Sequence, residues 1–279
     1  MLEEIRGLGF SRVELSHGIG APLVEGILRA LADGVVAVGS VHNFCPLPAS
    51  ATGAAPNLFQ PSARARDERR AWLRHSLHTL DFARRVGAGH VVMHSGSVGF
   101  RLASPAPTLA LGLGAGEARR ARALRRLRKA AAATLPRVED AYRALLPAAA
   151  ALQLVLGLEN REGVLELPLD AELPGLLARL DDPGLGYWHD TGHAEIKHRL
   201  GLLDPAAHLE SLAGRLVGFH LHDVDDSGRD HRAVGTGTVD FGLVARFVRP
   251  EHALVLEPSP RLSADEVRAS RGRLLDVLS

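Results

Sequence analysis

The stretch that decides the fold is LGYWHDTGHAEIKHRL, residues 185–200. An apolar run leads into His189 and Asp190, and the residues after it are expected to begin a helix. A buried strand that passes directly into a helix is one unit of a parallel α/β sheet. Asp190 and His193 therefore lie at the end of a predicted strand. A carboxylate and an imidazole directly after a buried apolar run indicate a chemical role for these two side chains.

The same alternation of short apolar runs and longer helical segments extends along the chain in both directions. Seven runs are predicted as strands: RVELS (12–16), VVAVGSV (35–41), HVVMH (90–94), LQLVLGL (152–158), LGYWH (185–189), LVGFHLH (216–222) and ALVLE (253–257). Helices are predicted near 22–33, 66–86, 117–150, 170–180, 205–214, 240–249 and 263–278, with N-caps at Asp170, Asp204, Asp240 and Ser263. This repetition predicts an α/β fold, a TIM (β/α)8-type barrel with parallel strands.

The N-terminal segment LEEIRGLGF is predicted to be a helix that runs into RVELS, so the series opens on a helix. A closed barrel of eight strands needs one more strand, and the first strand is therefore expected to be missing or irregular. No stretch of linker composition divides the chain, which favours a single barrel domain over residues 1–279. The basic segment EARRARALRRLRKAAAATL is expected to be a solvated outer helix.

Composition excludes several classes of protein. The 279 residues carry a net charge of +1, so no global charge favours a nucleic-acid or membrane partner. Cys45 is the single cysteine and excludes an internal disulfide. No apolar run approaches the roughly 20 residues of a membrane span, and the opening segment MLEEIRGLGF is not expected to be a secretory signal. We expect a cytoplasmic protein without a membrane partner; assembly into a homo-oligomer is left open.

The carboxyl ends of parallel barrel strands converge on one mouth, where catalytic groups gather. Read in chain order, the predicted strand ends and the loops after them carry His42, His94, Glu159, Asp190 with His193, His220, His222, His231 and Glu257. A lone histidine at a strand end is more often structural than a ligand. Charged groups that converge from six strands need compensation, which a divalent cation supplies. A mixed carboxylate and imidazole shell favours Mn, Co, Fe or Zn.

A second candidate site lies in GTGTVDFG, residues 235–242. The backbone amides of Gly235 and Gly237 could bind an anion, or the two glycines could only shape a turn. Arg229, Arg232 and Arg161 are candidate anion contacts, with a solvated surface role as the alternative. Lys197 and His198, just beyond the Asp190 motif, are expected to be solvated.

Several segments match a known family in its own order. They are SVHNFCPLP, VVMHSGS, LGLENREG, HDTGHA, GFHLHDVDDSGRDHRAVGTGTVDF and LVLEPSP. On these segments the chain resembles the xylose isomerase-like TIM-barrel superfamily, which holds sugar phosphate isomerases and epimerases and the endonuclease IV type of abasic-site nucleases. The resemblance extends from about residue 11 to the end of the chain.

The sugar epimerase branch implies one divalent metal bound by Glu159, Asp190, Glu257 and a histidine that is either His220 or His222. Both histidines point the same way, because their spacing is two. The resemblance further implies that Glu159 and Glu257 act as acid and base on opposite faces of a substrate. It also implies that His193 contacts a substrate hydroxyl.

The nuclease branch implies up to three zinc ions and draws in the additional residues His42, His94, His193 and His231. This chain departs from that pattern at Arg229, where the nucleases have Asp, and at His222, where they have Asn. The predicted mouth loops are long and consist mostly of small and apolar residues with few basic ones, which disfavours a nucleic-acid partner and favours a small sugar-like substrate. The sequence therefore predicts a metal-dependent sugar isomerase or epimerase. The alternatives are a zinc phosphoesterase acting on abasic DNA and an inactive barrel that binds a small ligand.

Overall fold

One parallel sheet organises the chain. The computed structural model describes residues 1–49, 51 and 53–278. Its strands are β1 (Arg12–Leu15), β2 (Ala37–His42), β3 (His90–Met93), β4 (Val155–Glu159), β5 (Leu185–Asp190), β6 (Leu216–Leu221) and β7 (Ala253–Leu256). They pair in chain order from β1 to β7, and every neighbouring pair is parallel. The predicted TIM-type barrel is confirmed, and each of the seven predicted strands is present.

The sheet curls into a nearly closed barrel. Within the described residues β1 and β7 are its two edges, and no pairing joins them. The curvature still brings β1 close to β6, because Glu14 Oε1 lies 3.0 Å from His220 Nε2. Side chains on these strands therefore meet across the interior.

Helices cover the outside of the sheet. They are α1 (Leu2–Gly7), α2 (Ala21–Ala32), α3 (Arg66–Arg85), α4 (Ala106–Ala110), α5 (Glu117–Ala132), α6 (Leu135–Ala151), α7 (Leu173–Leu180), α8 (Thr191–Arg199), α9 (Pro205–Leu212), α10 (Phe241–Ala245) and α11 (Ala264–Leu278). Short 3-10 turns lie at Gly112–Ala115, Asp170–Glu172 and Ala213–Arg215.

The single helix predicted over 117–150 is two helices, α5 and α6. Pro136 stands in the first turn of α6. Proline has no backbone N–H to donate to the preceding turn, and it is tolerated where a helix begins. A new helix therefore starts here, whereas the apolar spacing alone continues without a break.

Three of the four predicted helix caps are present. Asp204 accepts a hydrogen bond from the Ala207 amide at 3.1 Å, and Asp240 accepts one from Leu243 at 2.9 Å. Ser263 accepts one from the Glu266 amide at 3.3 Å. Asp170 does not cap a helix.

Asp170 instead accepts a hydrogen bond from Lys197 Nζ at 2.8 Å. Lys197 is 2% exposed, so the expectation that it is solvated is wrong. Its ammonium group reaches a carboxylate on a separate turn of the chain, a partner that local sequence spacing cannot predict. His198 is exposed, as expected.

Glycine on two strands makes room for a tryptophan inside the barrel. Trp188 on β5 is fully buried between β4 and β6. A Cβ atom on Gly157 would lie 2.9 Å from its ring, and a Cβ atom on Gly218 would lie 2.3 Å from it. The large ring thus fills the barrel floor below the mouth only because both neighbouring positions lack side chains.

Candidate metal centre

Strand geometry turns the predicted site residues into the barrel. Trp188 contacts His220 of the neighbouring strand inside the barrel, with ring centroids 5.2 Å apart, whereas Tyr187 faces outward against His208 on α9 at 5.3 Å. Side chains two residues apart share a face of a strand. Asp190 therefore points inward like Trp188. The inward groups that contact one another at or near the mouth are Glu14, His42, His94, Glu159, Asp190, His220, His222 and Glu257.

His220 stands at the centre of three carboxylates. Its Nδ1 atom lies 2.7 Å from Glu159 Oε1, 3.3 Å from Glu257 Oε2 and 3.8 Å from Asp190 Oδ2. Glu159 and Asp190 are buried, and the Glu257 side chain is 33% exposed. The structure thus brings together four residues that the sequence placed on four separate strands.

His220 and His222 differ in their surroundings, although both point into the barrel. His222 Nε2 lies 3.1 Å from Asp190 Oδ2, and its Nδ1 accepts a hydrogen bond from the His231 backbone at 3.0 Å. The His231 ring stacks on His222 with centroids 4.2 Å apart. Of the two histidines, His220 is the one with three carboxylates around one of its nitrogen atoms. In this arrangement the nitrogen and the three carboxylates could all bind the same metal ion.

Glu14 is a site residue that the strand-end reasoning did not identify. Its Oε1 atom lies 3.0 Å from His220 Nε2, and its Oε2 accepts a hydrogen bond from the Ser40 hydroxyl at 2.6 Å. A carboxylate on one ring nitrogen of a histidine fixes the tautomer and leaves the other nitrogen free to bind a metal. The sequence does contain a clue, because Glu14 is an acidic residue inside a predicted strand.

The charges of this cluster are strongly coupled. Burial alone lowers the pKa of His220, but the carboxylates of Glu257 and Glu14 outweigh it and hold that pKa well above its ordinary value. Burial raises the pKa of Glu159, but Arg161 and His220 outweigh it and hold that pKa well below the usual range. The pKa of Asp190 is also lowered, because His193 and His222 outweigh its burial. Both carboxyl groups are therefore ionised at neutral pH.

The donor set fits a divalent cation. Oxygens of Glu159, Asp190 and Glu257 surround one imidazole nitrogen, and three buried or half-buried carboxylates require positive charge nearby. A proton on His220 supplies part of that charge, and a metal ion would replace the proton. Oxygen donors with one imidazole suit Mn, Co, Fe or Zn, and the set contains no thiolate.

A second group of possible ligands surrounds the other oxygen of Glu159. His94 Nε2 lies 2.8 Å from Glu159 Oε2, and His42 Nε2 lies 4.0 Å from it. Burial, reinforced by Arg161, lowers the pKa of His94 to about 4, and burial and nearby histidines lower the pKa of His42. Both rings are neutral at pH 7. Glu159 is thus shared between two clusters.

Arg161 enters this second cluster from the loop after β4. Its guanidinium donates to Glu159 Oε2 and, through Nε, to Glu166 Oε1 at 3.3 Å. Arg161 is 7% exposed, so it is not a surface residue. The anions it contacts are carboxylates of this chain.

His193 and His231 line the same mouth. The first turn of α8 places His193, whose backbone amide donates to Asp190 Oδ1 at 2.7 Å. The ring Nδ1 lies 2.9 Å from the Asn160 carbonyl and 3.5 Å from Asp190 Oδ2. His231 has a φ of +51° and lies 3.0 Å from the Glu257 carbonyl through Nδ1. Both residues are near the carboxylate cluster.

The amides of GTGTVDFG face an internal carboxylate. Asp223 Oδ2 accepts hydrogen bonds from Gly235 and Gly237, each at 2.9 Å, and Oδ1 accepts one from Val239 at 3.0 Å. An external anion would have to displace this buried carboxylate. The predicted arginine contacts, Arg229 and Arg232, each lie 3.0 Å from Asp225 Oδ2.

Comparison with known proteins identifies the family. A family model described as "Xylose isomerase-like TIM barrel" matches residues 2–273. The chain belongs to this family. A search of curated proteins found no significant match. No helix in the described part of the chain has the length and hydropathy required to cross a membrane.

Solved structures share the fold over almost the whole chain. A D-tagatose 3-epimerase-like protein has a TM-score of 0.70 at 17% identity, over 96% of this chain and 90% of that one. L-ribulose 3-epimerase has a TM-score of 0.70 at 16% identity, over 99% and 87%. The 3-keto-D-glucoside 4-epimerase YcjR from E. coli has a TM-score of 0.69 at 16% identity, over 99% and 92%. At these identities the likeness shows a common fold.

Proposed function

We propose that this protein is a divalent-metal-dependent sugar isomerase or epimerase that moves a proton at a carbon next to a carbonyl. The observation that carries the proposal is the convergence of Glu159, Asp190 and Glu257 on Nδ1 of His220. The solved structures of similar fold support it, because their names describe sugar epimerases. The expected substrate is a small polyhydroxylated ketone or aldehyde.

Glu159 and Glu257 are the proposed acid and base. They lie at the ends of β4 and β7, three strands apart in the sheet, and so approach the mouth from different sides. A substrate carbon between them would have one carboxyl group on each face. Removal of its proton by one group and return by the other would invert that carbon. The low pKa of Glu159 keeps its carboxylate ionised, which is the state that a base requires.

The other residues of the cluster are proposed to bind the metal ion or to orient its ligands. Glu159, Asp190, His220 and Glu257 would hold the metal. A divalent cation bound there would polarise the substrate carbonyl and stabilise negative charge on its oxygen. Glu14 orients His220, and Asn160 orients Asp190 by accepting a hydrogen bond from the Asp190 amide at 2.7 Å. His193 is proposed to contact a substrate hydroxyl from the first turn of α8.

The experiment that tests this function has two parts. The first is elemental mass spectrometry on protein purified without added metal, with an expected content of about one Mn, Co, Fe or Zn per chain. The second is incubation with a panel of ketoses and inosose-like substrates in D2O. Epimerisation with deuterium incorporated beside the carbonyl is the expected result. A protein that binds no metal, even when metal is added, would refute the proposal.

The proposed acid and base are tested by Glu159→Gln and Glu257→Gln. Each variant keeps the size of the side chain and loses its proton-transfer group, so turnover should fall by a factor of roughly 10²–10⁴ or more. Glu25→Gln, on the exposed surface of α2, is the matched control. Full turnover in either site variant would remove that glutamate from the mechanism.

A zinc phosphoesterase is the second candidate, because His42, His94 and Glu159 form a further group of potential ligands. Two or three zinc ions per chain, together with cleavage of abasic DNA, would favour it over the isomerase. The residue at position 229, Arg229, disfavours the zinc phosphoesterase. Its guanidinium pairs with Asp225, so no carboxylate from position 229 joins His231.

A further inference from the structure

The second group of possible ligands has an unusual electrostatic arrangement. His42 Nδ1 lies 3.0 Å from the Asn43 carbonyl, and His94 Nδ1 lies 3.3 Å from Asn57 Oδ1. Each Nδ1 is thereby placed to donate its proton to an oxygen, which leaves the lone pair on each Nε2. Both Nε2 atoms lie near Glu159 Oε2, at 4.0 Å for His42 and 2.8 Å for His94. Two lone pairs beside a carboxylate oxygen repel one another unless a positive charge joins them.

One of these nitrogens lacks a partner. His94 Nε2 is fully buried and forms no hydrogen bond, although it lies only 2.8 Å from Glu159 Oε2. The His94 side chain is 5% exposed, so water does not compensate it freely. The ligand atoms of His42, His94 and Glu159 lie within 4.8 Å of one another. This geometry would accept a second cation beside the one held at His220.

Arg161 already places a positive charge beside the ligand atoms of His42, His94 and Glu159. Its guanidinium donates to the same Oε2 atom that lies near the two imidazoles, and its Nε donates to Glu166 Oε1 at 3.3 Å. Glu166 in turn accepts hydrogen bonds from the Gly163 amide at 2.8 Å and from Asn57 at 3.2 Å. Glu166 therefore fixes the position of the guanidinium, and the loops that follow β2 and β4 in turn hold Glu166. A cation that approached Glu159 Oε2 would meet both charge repulsion and a competitor for the oxygen.

We propose that Arg161 takes the place of a second divalent cation and so limits this centre to one metal ion. Glu159 then presents Oε1 to the metal and Oε2 to the guanidinium. The inference rests on the proposed function for the first metal ion. It adds the residue that sets the number of ions, and with it the choice between one-metal proton transfer and multi-metal phosphoester chemistry.

The test is the number of Zn2+ or Co2+ ions bound per chain, after equilibration with excess metal and removal of free ions. Wild-type protein should retain one ion. Arg161→Gln removes the positive charge but keeps an amide donor, and it should retain two. His94→Ala in the Arg161→Gln background should return the count to one. Arg179→Gln is the control, since Arg179 pairs with Glu139 in the outer layer, and it should retain one.

A separate variant tests the inference if Arg161→Gln does not fold. His94→Ala alone should still retain one ion, because His94 does not belong to the ligands around His220. Retention of the first ion and an unchanged circular dichroism spectrum report that each variant is folded. For Co2+, a second set of d–d absorption bands in Arg161→Gln is an independent readout.

The outcomes separate this inference from the proposed function. Two ions in wild-type protein, or one ion in folded Arg161→Gln, would overturn the role of Arg161 and leave a metal-dependent enzyme in place. Loss of the only ion in His94→Ala would also overturn it. No metal in any variant would refute the proposed function as well.

Discussion

Glu14 Oε1 lies 3.0 Å from Nε2 of His220 and so joins the first strand of the sheet to the sixth across the barrel interior. The same imidazole faces three further carboxylates through Nδ1. The two ring nitrogens of His220 therefore have different roles. Glu14 holds the Nε2 proton, and Nδ1 is directed to the proposed metal position.

Glu14→Gln should weaken metal binding without unfolding the protein. An amide holds the imidazole less firmly than a carboxylate does, and loss of such a partner costs roughly 10- to 100-fold in metal affinity. The measurement is the Kd for Mn2+ or Zn2+ of metal-free protein, by calorimetry or competition with a chelator. Glu25→Gln controls for the loss of one negative charge. An unchanged Kd would mean that Glu14 only packs against the site.

Gly218→Ala should destabilise the barrel. The added Cβ atom would lie 2.3 Å from the Trp188 ring, and overpacking of a rigid core costs about 1–3 kcal/mol in the free energy of unfolding. Gly214→Ala is the matched control, because no atom lies within 4 Å of its added Cβ. Urea denaturation measures the free energy of unfolding of both variants. Partial recovery is expected in Gly218→Ala combined with Trp188→Phe, and equal stability of the two single variants would contradict the packing argument.

Lys197→Met should destabilise the protein by about 3–5 kcal/mol, because it leaves the buried carboxylate of Asp170 without its cation. The double variant Lys197→Met with Asp170→Leu should recover most of this loss. Arg268→Met provides the comparison, since Arg268 lies 2.8 Å from Asp265 at an exposed position and should change stability by less than about 1 kcal/mol. Additive effects in the Lys197 and Asp170 double-mutant cycle would show that the pair is not coupled.

His189 should make the metal-free protein sensitive to acid. Burial, reinforced by His208, lowers the pKa of His189 to about 3, while the unfolded chain keeps a pKa near 6.5. Between these values the unfolded state binds more protons, so the free energy of unfolding falls as the pH falls. The slope approaches roughly 1.4 kcal/mol per pH unit from this one group.

His189→Gln removes that titration. Denaturation curves at pH 7, 6, 5 and 4, in the presence of a chelator, should show a weaker loss of stability in the variant than in the wild type. His78, for which burial is slight, provides a control variant, His78→Gln. Parallel pH profiles for wild type and His189→Gln would refute the assignment.

Apolar runs predicted the central strands β4, β5 and β6 because these strands are buried on both faces, so their residues are apolar almost without interruption. Apolar periodicity did not locate the end of α5, because Pro136 lies in a segment whose apolar spacing continues. Lys197 shows the same limitation. The sequence around it is that of an exposed helix, and only the position of Asp170 explains its burial.

The sequence alone determined which residues stand at the ends of the parallel strands, since strand period and strand ends are local properties. Together with the family resemblance, these strand ends predicted Glu159, Asp190, Glu257 and either His220 or His222 as the metal ligands. Tertiary structure decided how they are arranged: which of His220 and His222 faces the three carboxylates, that Glu14 contacts His220, and that Arg161 contacts Glu159 beside the proposed metal position. These depend on the curvature of the sheet and on side-chain direction, which bring together atoms that are far apart along the chain.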